Sequence, residues 1–280
     1  MLCQNFGQRI TVRFEGHCHM NQTTANTADS SAPLRLIAHR GYSGQYPENT
    51  LLAYTAARDA GAKYFELDIQ LSADGVPFLH HDKSLLRMAG VDKDFRDVKA
   101  KKIKSLFASY PKRFKDKFAD NRFTTFSRYC KWLKKDSSLI TFVEIKQESI
   151  DRWGIPTVVE AVIKRINRHK VAKQCVIISF NPEVIEYTRK VSKMRCGWVI
   201  PGWDEQQRKI AQALKPEYLF LWVNYLPANN ADLWVGSWQW ALYNLDDEQS
   251  ARTMLNRGFY NLETNEIGTL INALASESIE

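Results

Sequence analysis

The 280-residue sequence lacks the features that mark a secreted or membrane-spanning protein. No apolar run approaches the length of a transmembrane helix, so no membrane span is predicted. The first twenty residues contain no uninterrupted apolar segment, and we therefore read no signal peptide there. The five cysteines are an odd number at scattered positions and do not form a disulfide framework. These absences favour the cytoplasm as the default compartment.

Sequence motifs of several common functions are also missing. No glycine-rich dinucleotide fingerprint follows the first strand candidate, which counts against a doubly wound nucleotide-binding sheet. Ser179 lies at a strand end but lacks the glycines of a hydrolase nucleophile elbow. The formal net charge of +8 and a pI near 9.2 favour an anionic partner. No nucleic-acid-binding motif accompanies the basic residues, so we expect that partner not to be a nucleic acid.

Strand-like and helix-like stretches alternate from Leu34 onward, which indicates an α/β fold with a parallel sheet. Setting aside a short return strand at 76–79, eight strand candidates remain, and eight such units close a TIM (β/α)8 barrel. A doubly wound open sheet is the rival architecture. The eight candidates are residues 35–39, 64–69, 140–145, 175–179, 195–199, 218–222, 238–242 and 259–263.

The chain divides into two parts of different composition. Residues 1–33 are predicted to be a disordered or appended segment, because 21–33 is a polar run that cannot bury much surface. His17, Cys18 and His19 lack partner ligands at the spacing of a metal site. Residues 34–280 form the predicted barrel domain.

Within the barrel domain, residues 83–121 do not fit the alternation and are predicted to be a small insertion. One interpretation is a lid that attracts an anionic substrate or makes transient contact with an anionic membrane surface. The simpler interpretation, which we favour, is a solvated helical face. The basic residues are Lys99, Lys101, Lys102, Lys104, Lys112, Arg113, Lys115 and Lys117, interleaved with Phe107, Tyr110, Phe114 and Phe118.

The stretch 64–82, YFELDIQLSADGVPFLHHD, concentrates ionisable residues on one predicted hairpin. Its two apolar runs flank an Asp-Gly turn signal and are too close together for a parallel crossover, so they are expected to pair antiparallel. A two-residue turn at Asp74-Gly75 sets Asp68 opposite His81. The same turn one residue earlier, at Ala73-Asp74, sets Glu66 opposite His81 instead. Glu66 and Asp68 point to the same side of the strand. Two neighbouring carboxylates repel each other when buried, and a hard divalent cation between them would relieve the repulsion.

Two further strand candidates end in ionisable residues. The strand in LIAHRG, 36–41, ends in His39 and Arg40 and is followed by PENT, 47–50. The strand in FVEIK, 142–146, carries Glu144 and Lys146 two residues apart and therefore on one face. Because barrel enzymes build their sites at the carboxyl ends of several strands, these residues are expected to converge with the hairpin.

The ordered series HRG, PENT, EXD, DG, HD and EXK resembles the glycerophosphodiester phosphodiesterase family, from about residue 34 to the end of the chain. This resemblance implies a barrel with its insertion over the barrel mouth. It also implies a metal-dependent phosphoric diester hydrolase that converts glycerophosphodiesters to glycerol 3-phosphate and an alcohol.

The family's site residues carry over to this sequence motif by motif. The EXD carboxylates and the EXK glutamate hold the metal in the family, which implies Mg²⁺ or Ca²⁺ as the cofactor. The two histidines work as acid and base, in either order. The implied roles are metal ligand for Glu66, Asp68 and Glu144, acid or base for His39 and His81, and phosphate or substrate contact for Arg40, Lys146 and Trp240.

Two segments depart from the family pattern and leave the preferred head group open. The family commonly has a tryptophan followed by a TVN run, and this sequence has WALYN, 240–244, at that place. The family's strand ending in TD is replaced by NLETN, 261–265, in which Glu263 is a nearby acidic residue. Two alternatives remain at this stage. One is a barrel phospholipase of the sphingomyelinase D or phosphoinositide phospholipase C type that acts on intact lipid, and the other is a non-catalytic barrel that binds phosphate esters. The nucleophile is either water or a neighbouring glycerol hydroxyl.

Overall fold

The computed structural model describes residues 33–275, and nine strands form its central sheet. The strands are β1 Arg35–Ala38, β2 Tyr64–Leu71, β3 Pro77–Leu79, β4 Ile140–Ile145, β5 Cys175–Ser179, β6 Arg195–Val199, β7 Tyr218–Trp222, β8 Gln239–Tyr243 and β9 Asn261–Thr264. Eight of them are parallel, and β1 pairs with both β2 and β9, which closes the ring. The TIM barrel predicted from the sequence is therefore confirmed. The predicted 1–33 appendage, with His17, Cys18 and His19, lies outside the described residues except for Pro33.

Helices cover the outside of the ring, and five of the eleven in the described region begin at a side chain that caps the first turn. The Thr50 hydroxyl accepts a hydrogen bond from the Ala53 amide, and Asn181 and Asp204 cap their helices in the same way. The helices are α1 Leu51–Asp59, α2 Leu86–Ala89, α3 Ala100–Ser105, α4 Pro111–Phe114, α5 Phe126–Leu133, α6 Gln147–Trp153, α7 Ile155–His169, α8 Pro182–Val191, α9 Glu205–Leu214, α10 Glu248–Asn256 and α11 Ile267–Ala275.

Each barrel strand directs alternate side chains to the interior and to the helices. On β4, Phe142 packs inside the barrel with residues of β5, β6 and β7, whereas Val143 and Ile145 pack outward beneath the helices. Glu144 continues the inward-facing series that includes Phe142. The strand period therefore places the Glu144 carboxylate above the barrel interior, at the carboxyl end of the strand.

The hairpin of β2 and β3 has a register that differs from both predicted ones. Ile69 pairs with Leu79, and the His80 amide donates to the Asp68 carbonyl at 3.0 Å, so His80 rather than His81 lies opposite Asp68. The turn has three residues, 73–75, closed by a hydrogen bond from the Ser72 amide to the Val76 carbonyl. Gly75 has a φ of 70°, as a three-residue hairpin turn with a left-handed last position requires.

The 83–121 insertion contains α2, α3 and α4 and packs around its own small apolar core. Phe78, Met88, Phe95 and Ile103 are buried in this core, which includes the return strand β3 as its base. All eight basic residues named above are exposed, and Lys117 Nζ also lies 5.1 Å from the centroid of the Phe118 ring. Exposure of these side chains fits the solvated face and the anion-attracting lid equally, so both interpretations of the insertion stay predictions.

The connection from β7 to β8 contains two 3₁₀ turns and no α-helix. Tryptophan side chains cover the outside of β8 where a helix would otherwise lie. Trp203 and Trp234 stack at a centroid distance of 4.3 Å, and Trp240 contacts both at 5.6 and 6.2 Å.

None of the helices within residues 33–275 has the length and apolar character that a membrane span requires.

Candidate active site

A cavity of about 180 Å³ opens at the carboxyl ends of the barrel strands. Its lining comes from β2, from β4 to β9, and from the segments that follow β1 and β3. A larger cavity of about 570 Å³ lies within the insertion, but its charged lining consists of scattered lysines and of Asp94 and Asp97. The residues that line the barrel cavity are His39, Arg40, Glu66, His81, Glu144, Lys146, Ile178, Phe180, Val199, Phe220, Tyr243, Asn244 and Glu263.

The HRG turn after β1 is built by tight backbone packing. Gly41 has a φ of 85°, and a Cβ there would lie 2.8 Å from the Ala53 backbone, so only glycine lets this turn rest on α1. Arg40 adopts a left-handed φ of 57°, and its carbonyl accepts a hydrogen bond from the Asn49 amide. The turn directs both His39 and Arg40 toward the ends of β2 and β9.

Three buried carboxylates from β2 and β4 meet at the cavity, and two of them, Glu66 and Glu144, line it. Glu66, Asp68 and Glu144 each offer an oxygen, and these oxygens lie within 4.8 Å of one another. Asp68 and Glu144 are direct partners in the β2–β4 register. Glu66 Oε1 is buried and has no hydrogen-bond partner. Asp68 Oδ1 is likewise buried without a hydrogen-bond partner, and a clustered set of carboxylate oxygens with two such atoms fits a hard divalent cation.

The charge state of this cluster differs from residue to residue. Burial and the Asp68 charge raise the pKa of Glu66 well above its usual value. Burial also raises the pKa of Glu144, against the opposing effect of Lys146. For Asp68, burial is outweighed by Arg40 and Lys146, which lower its pKa. Because like charges cannot all be ionised in one buried site, the cluster without a cation holds protons.

Asp68 is the most firmly held of the three carboxylates. Its Oδ2 accepts a hydrogen bond from Asn49 Nδ2 at 2.8 Å and lies 3.0 Å from Arg40 Nε. Lys146 Nζ lies 3.4 Å from Asp68 Oδ1 and 2.8 Å from Glu144 Oε1. Asn49, the third residue of PENT, was not predicted from the sequence, where only the spacing of ionisable side chains signalled the site.

His39 is oriented by an amide rather than by a carboxylate. Asn265 Nδ2 donates to Asp246 Oδ2 at 2.8 Å, which turns Asn265 Oδ1 toward His39 Nδ1 at 2.9 Å. An amide oxygen only accepts, so the His39 proton resides on Nδ1 and Nε2 carries the lone pair. Burial and the Arg40 charge lower the pKa of His39 to about 3. His39 is therefore neutral, with Nε2 free to accept a proton.

His81 has a different partner on its own Nδ1. This nitrogen donates to Asp82 Oδ1 at 2.9 Å, and Asp82 also accepts two hydrogen bonds from Arg87. Burial opposes ionisation of Asp82, but the hydrogen bonds from His81 and Arg87 lower its pKa, so it is a carboxylate. A carboxylate partner stabilises a positively charged imidazole more strongly than a neutral amide oxygen does.

Glu263 is a fourth buried carboxyl group that the sequence did not identify as a site residue. Its Oε1 lies 3.5 Å from His39 Nε2, and with His39 and Glu66 it forms a second cluster of ligand atoms within 4.8 Å. Burial raises the pKa of Glu263 well above its usual value. The only sequence signal for it was its acidic character near the end of the last strand.

Trp240 is not brought to this cavity. It lies on the outward face of β8, packed against Trp203, Trp234 and Trp238. Three residues later, Tyr243 faces the interior and lines the cavity, because an odd spacing reverses the face of a strand. The structure thus offers Tyr243 at the place where the sequence predicted Trp240.

The chain is similar in sequence to known glycerophosphodiester phosphodiesterases. A sequence model of the glycerophosphoryl diester phosphodiesterase family matches residues 39–269. A glycerophosphodiester phosphodiesterase of Caldanaerobacter subterraneus is 29% identical over 244 residues, which cover 85% of this chain and 96% of the relative. The mouse glycerophosphodiester phosphodiesterase 1 is 30% identical over 159 residues, covering 56% of this chain and 46% of the mouse protein.

Solved structures share the fold at lower identity. A phosphodiesterase of Oleispira antarctica in complex with sn-glycerol-3-phosphate superimposes with a TM-score of 0.77 at 20% identity, over 86% of this chain and 96% of that one. A glycerophosphodiester phosphodiesterase of Thermotoga maritima gives a TM-score of 0.62 at 22% identity, over 86% and 98% of the two chains. With the family match spanning the barrel and its site motifs, the chain belongs to the glycerophosphoryl diester phosphodiesterase family and is a phosphodiester hydrolase.

Proposed function

We propose that this enzyme hydrolyses glycerophosphodiesters to glycerol 3-phosphate and an alcohol in a metal-dependent reaction. The observation that carries the proposal is the convergence, in one cavity, of three carboxylates, two histidines with differently held Nδ1 atoms and two cationic side chains. A phosphodiester is anionic, so its attack requires neutralised charge, an activated nucleophile and a protonated leaving group. The related Oleispira structure contains sn-glycerol-3-phosphate, one of the two products.

Glu66, Asp68 and Glu144 would hold the divalent cation, Mg²⁺ or Ca²⁺. Their oxygen-only donor set and the unpartnered Glu66 Oε1 support a hard cation at this position. When bound, such a cation neutralises charge on a phosphate oxygen and makes a coordinated hydroxyl more acidic. Arg40 and Lys146 supply further positive charge at the same end of the cavity; Lys146 helps to lower the pKa of Asp68 and opposes the rise that burial causes in the pKa of Glu144.

His39 acts as the general base in this proposal. Its proton is held on Nδ1 by Asn265, and its neutral Nε2 accepts the proton of the attacking hydroxyl. His81 acts as the general acid and donates a proton from Nε2 to the departing alcohol oxygen. The Asp82 carboxylate supports this second role because it stabilises the imidazolium that must exist before the transfer.

Hydrolysis of lysophospholipids is a second candidate function, because an exposed apolar side chain lies at the cavity mouth. Phe180 lines the cavity while 39% of its surface stays exposed, so an apolar group could lie against it outside the barrel. Among the curated relatives, a lysophospholipase D of mouse is 47% identical over 62 residues, although these cover only 22% of this chain. A lysophospholipid also contains a glycerophosphodiester, so the same site residues would serve.

We also propose that the enzyme works in the cytoplasm and that the basic insertion makes transient contact with anionic membrane surfaces. The three cysteines of the described region are buried free thiols, which suits a reducing compartment. Exposed lysines beside Phe114 and Phe118 support the membrane contact.

The test is coupled detection of glycerol 3-phosphate from a panel of glycerophosphocholine, glycerophosphoethanolamine and glycerophosphoglycerol, with and without a chelator. We expect release that depends on Mg²⁺ or Ca²⁺ and stops in EDTA. Choline release from lysophosphatidylcholine, measured in parallel, tests the lipid candidate. No glycerol 3-phosphate from any soluble substrate, in either cation, would refute the proposal.

A further inference from the structure

Arg87 of the insertion joins two acidic residues that flank the cavity. Its Nη1 and Nη2 donate to Glu48 Oε2 and Oε1 at 2.6 and 2.8 Å. Its Nε and Nη2 donate to Asp82 Oδ2 and Oδ1 at 2.6 and 2.7 Å. Arg87 therefore binds both carboxylates in a forked geometry, which fixes their orientation as well as their charge.

Each of the two carboxylates holds a residue of the active site. Asp82 Oδ1 accepts a hydrogen bond from His81 Nδ1 at 2.9 Å. Glu48 Oε1 accepts one from Arg40 Nη1 at 3.1 Å. One guanidinium thus connects the cavity's second histidine with its arginine, through a single carboxylate on each side.

The insertion holds Arg87 rigidly in this place. Arg87 lies on α2, where the neighbouring Met88 is buried in the insertion core and its carbonyl accepts hydrogen bonds from the Ser109 and Tyr110 amides. The Arg87 guanidinium also lies over the Tyr110 ring, 5.1 Å from its centroid. The insertion and the barrel therefore meet at this side chain.

We propose that Arg87 is a positioning residue that sets the orientation of both His81 and Arg40. The proposal rests on the roles of His81 and Arg40 in the proposed function. Without Arg87, Asp82 is free to rotate away from His81 Nδ1, and Glu48 draws Arg40 toward itself with no competing cation. A misplacement of about 1 Å in groups that contact the reacting atoms lowers turnover by as much as a hundredfold.

Arg96 provides a matched control within the same insertion. It too binds a carboxylate with two nitrogens, at 2.9 and 2.6 Å from Asp94, and it ties the insertion to the barrel by donating to the Glu148 carbonyl at 2.7 Å. It does not line the cavity. Arg96→Ala therefore removes a comparable set of contacts without touching His81 or Arg40.

We expect Arg87→Ala to lower kcat on the order of ten- to a hundredfold and Arg96→Ala to leave kcat within about twofold. Added guanidinium ion should restore part of the lost turnover in Arg87→Ala, whereas urea, which has the shape without the charge, should not. Arg87→Lys keeps the charge but loses the fork, so it should show the same loss of kcat with a melting temperature near that of the parent.

Nitrogen NMR of the imidazoles supplies a readout that is independent of turnover. In the parent and in Arg96→Ala, His81 should show a proton fixed on Nδ1, and in Arg87→Ala and Arg87→Lys the two tautomers should exchange. Unchanged His81 signals together with parental kcat in both Arg87 variants would overturn the proposal. If the parent releases no glycerol 3-phosphate but the His81 signals respond to Arg87, the proposed function fails while the positioning role stands.

Discussion

Asn265 gives His39 a single tautomer, and this depends on one side-chain acceptor. Replacing Asn265 with Leu removes the oxygen that holds the Nδ1 proton, so both tautomers become available and Nε2 is often protonated. We expect kcat to fall on the order of ten- to a hundredfold, with substrate KM changed little. The measurement is kcat and KM with nitrogen NMR of His39.

Asn261→Leu is the control for that variant. Asn261 begins β9 and donates to the Trp240 carbonyl at 2.8 Å, at the opposite end of the same strand. It should lower the melting temperature without changing the His39 tautomer. Parental kcat in Asn265→Leu would show that the base does not need this amide.

Two conservative changes in the carboxylate cluster should shift stability in opposite directions. Glu66 is buried without a cationic partner close to Oε1, and burial raises its pKa, so folding at neutral pH must protonate it at a cost; Glu66→Gln needs no proton and should raise the melting temperature measured in EDTA. Asp68→Asn leaves Arg40 and Lys146 without their shared anion and should lower stability by about 3 kcal/mol or more.

Both variants should lose divalent-cation affinity and activity. Calorimetric titration with Mg²⁺ and Ca²⁺ and thermal unfolding in EDTA check the two effects separately. A Glu66→Gln protein that binds the cation as tightly as the parent would remove Glu66 from the ligand set.

The site residues that could be predicted from the sequence are those that lie close to one another along the chain. The three carboxylates, the two histidines and Lys146 lie at fixed short spacings within single strands or turns, and the structure brings them together. The partners that hold them are distant along the chain: Asn265 is 226 residues from His39, and Arg87 is 39 residues from Glu48. No spacing rule connects such pairs, so only the folded barrel reveals them.

At the scale of elements, the hairpin of β2 and β3 separates two adjacent histidines. His81 lines the cavity, while His80 is buried against Phe95 with their rings stacked at 4.5 Å. The predicted register missed the pairing by one residue, because a turn with two central residues and one with three are both compatible with an Asp-Gly signal. Strands with continuous apolar runs, such as β4 and β5, were predicted to the residue.

The burial of His80 makes the hairpin sensitive to acid. Burial lowers the pKa of His80 from 6.5 to about 4, so the unfolded chain takes up this proton at a higher pH than the folded protein. The stability due to neutral His80 is therefore complete above pH 6.5 and is lost as the pH falls toward 4. The loss attributable to this residue is on the order of 3 kcal/mol.

His80→Gln keeps a side chain that can donate to the Ser84 carbonyl but does not titrate in this range. The variant should show a flatter fall of the unfolding free energy between pH 6.5 and 4 than the parent, measured by urea denaturation. The pKa of His169, at a partly exposed position near Ser127, is also lowered, by burial and neighbouring positive charge, but the shift is smaller, so His169→Gln should change the curve less than His80→Gln does. Parallel curves for the parent and His80→Gln would show that His80 is not the acid-sensitive group.

For the whole molecule, alternation of strands and helices was enough to predict the closed barrel, since eight parallel strands have few other arrangements. It was not enough to predict how each connection is covered. Between β7 and β8, the tryptophans around Trp240 replace a helix. The substrate contact expected of Trp240 was inferred from the strand on which it lies, but its side chain is on the outward face of that strand. Aromatic residues fill irregular connections and cavities alike, so their composition alone does not distinguish the two.

The distribution of charge over the molecule leads to the last prediction, on membrane contact. Lys112, Lys115 and Lys117 are exposed on one segment of the insertion, next to Phe114 and Phe118. Near an anionic lipid surface each lysine contributes about 1 kcal/mol, so replacing all three with Glu should weaken binding to phosphatidylserine-containing vesicles on the order of a hundredfold or more.

Lys164, Lys190 and Lys193, exposed on the helical side of the barrel, give a control with the same change in net charge. Vesicle sedimentation at several salt concentrations measures both. Because exposed charges are screened within about 10 Å at 0.1 M salt, binding by the parent should weaken steeply as salt rises. Equal loss in the two triple variants would mean that net charge alone, rather than the insertion, attracts the protein to the lipid.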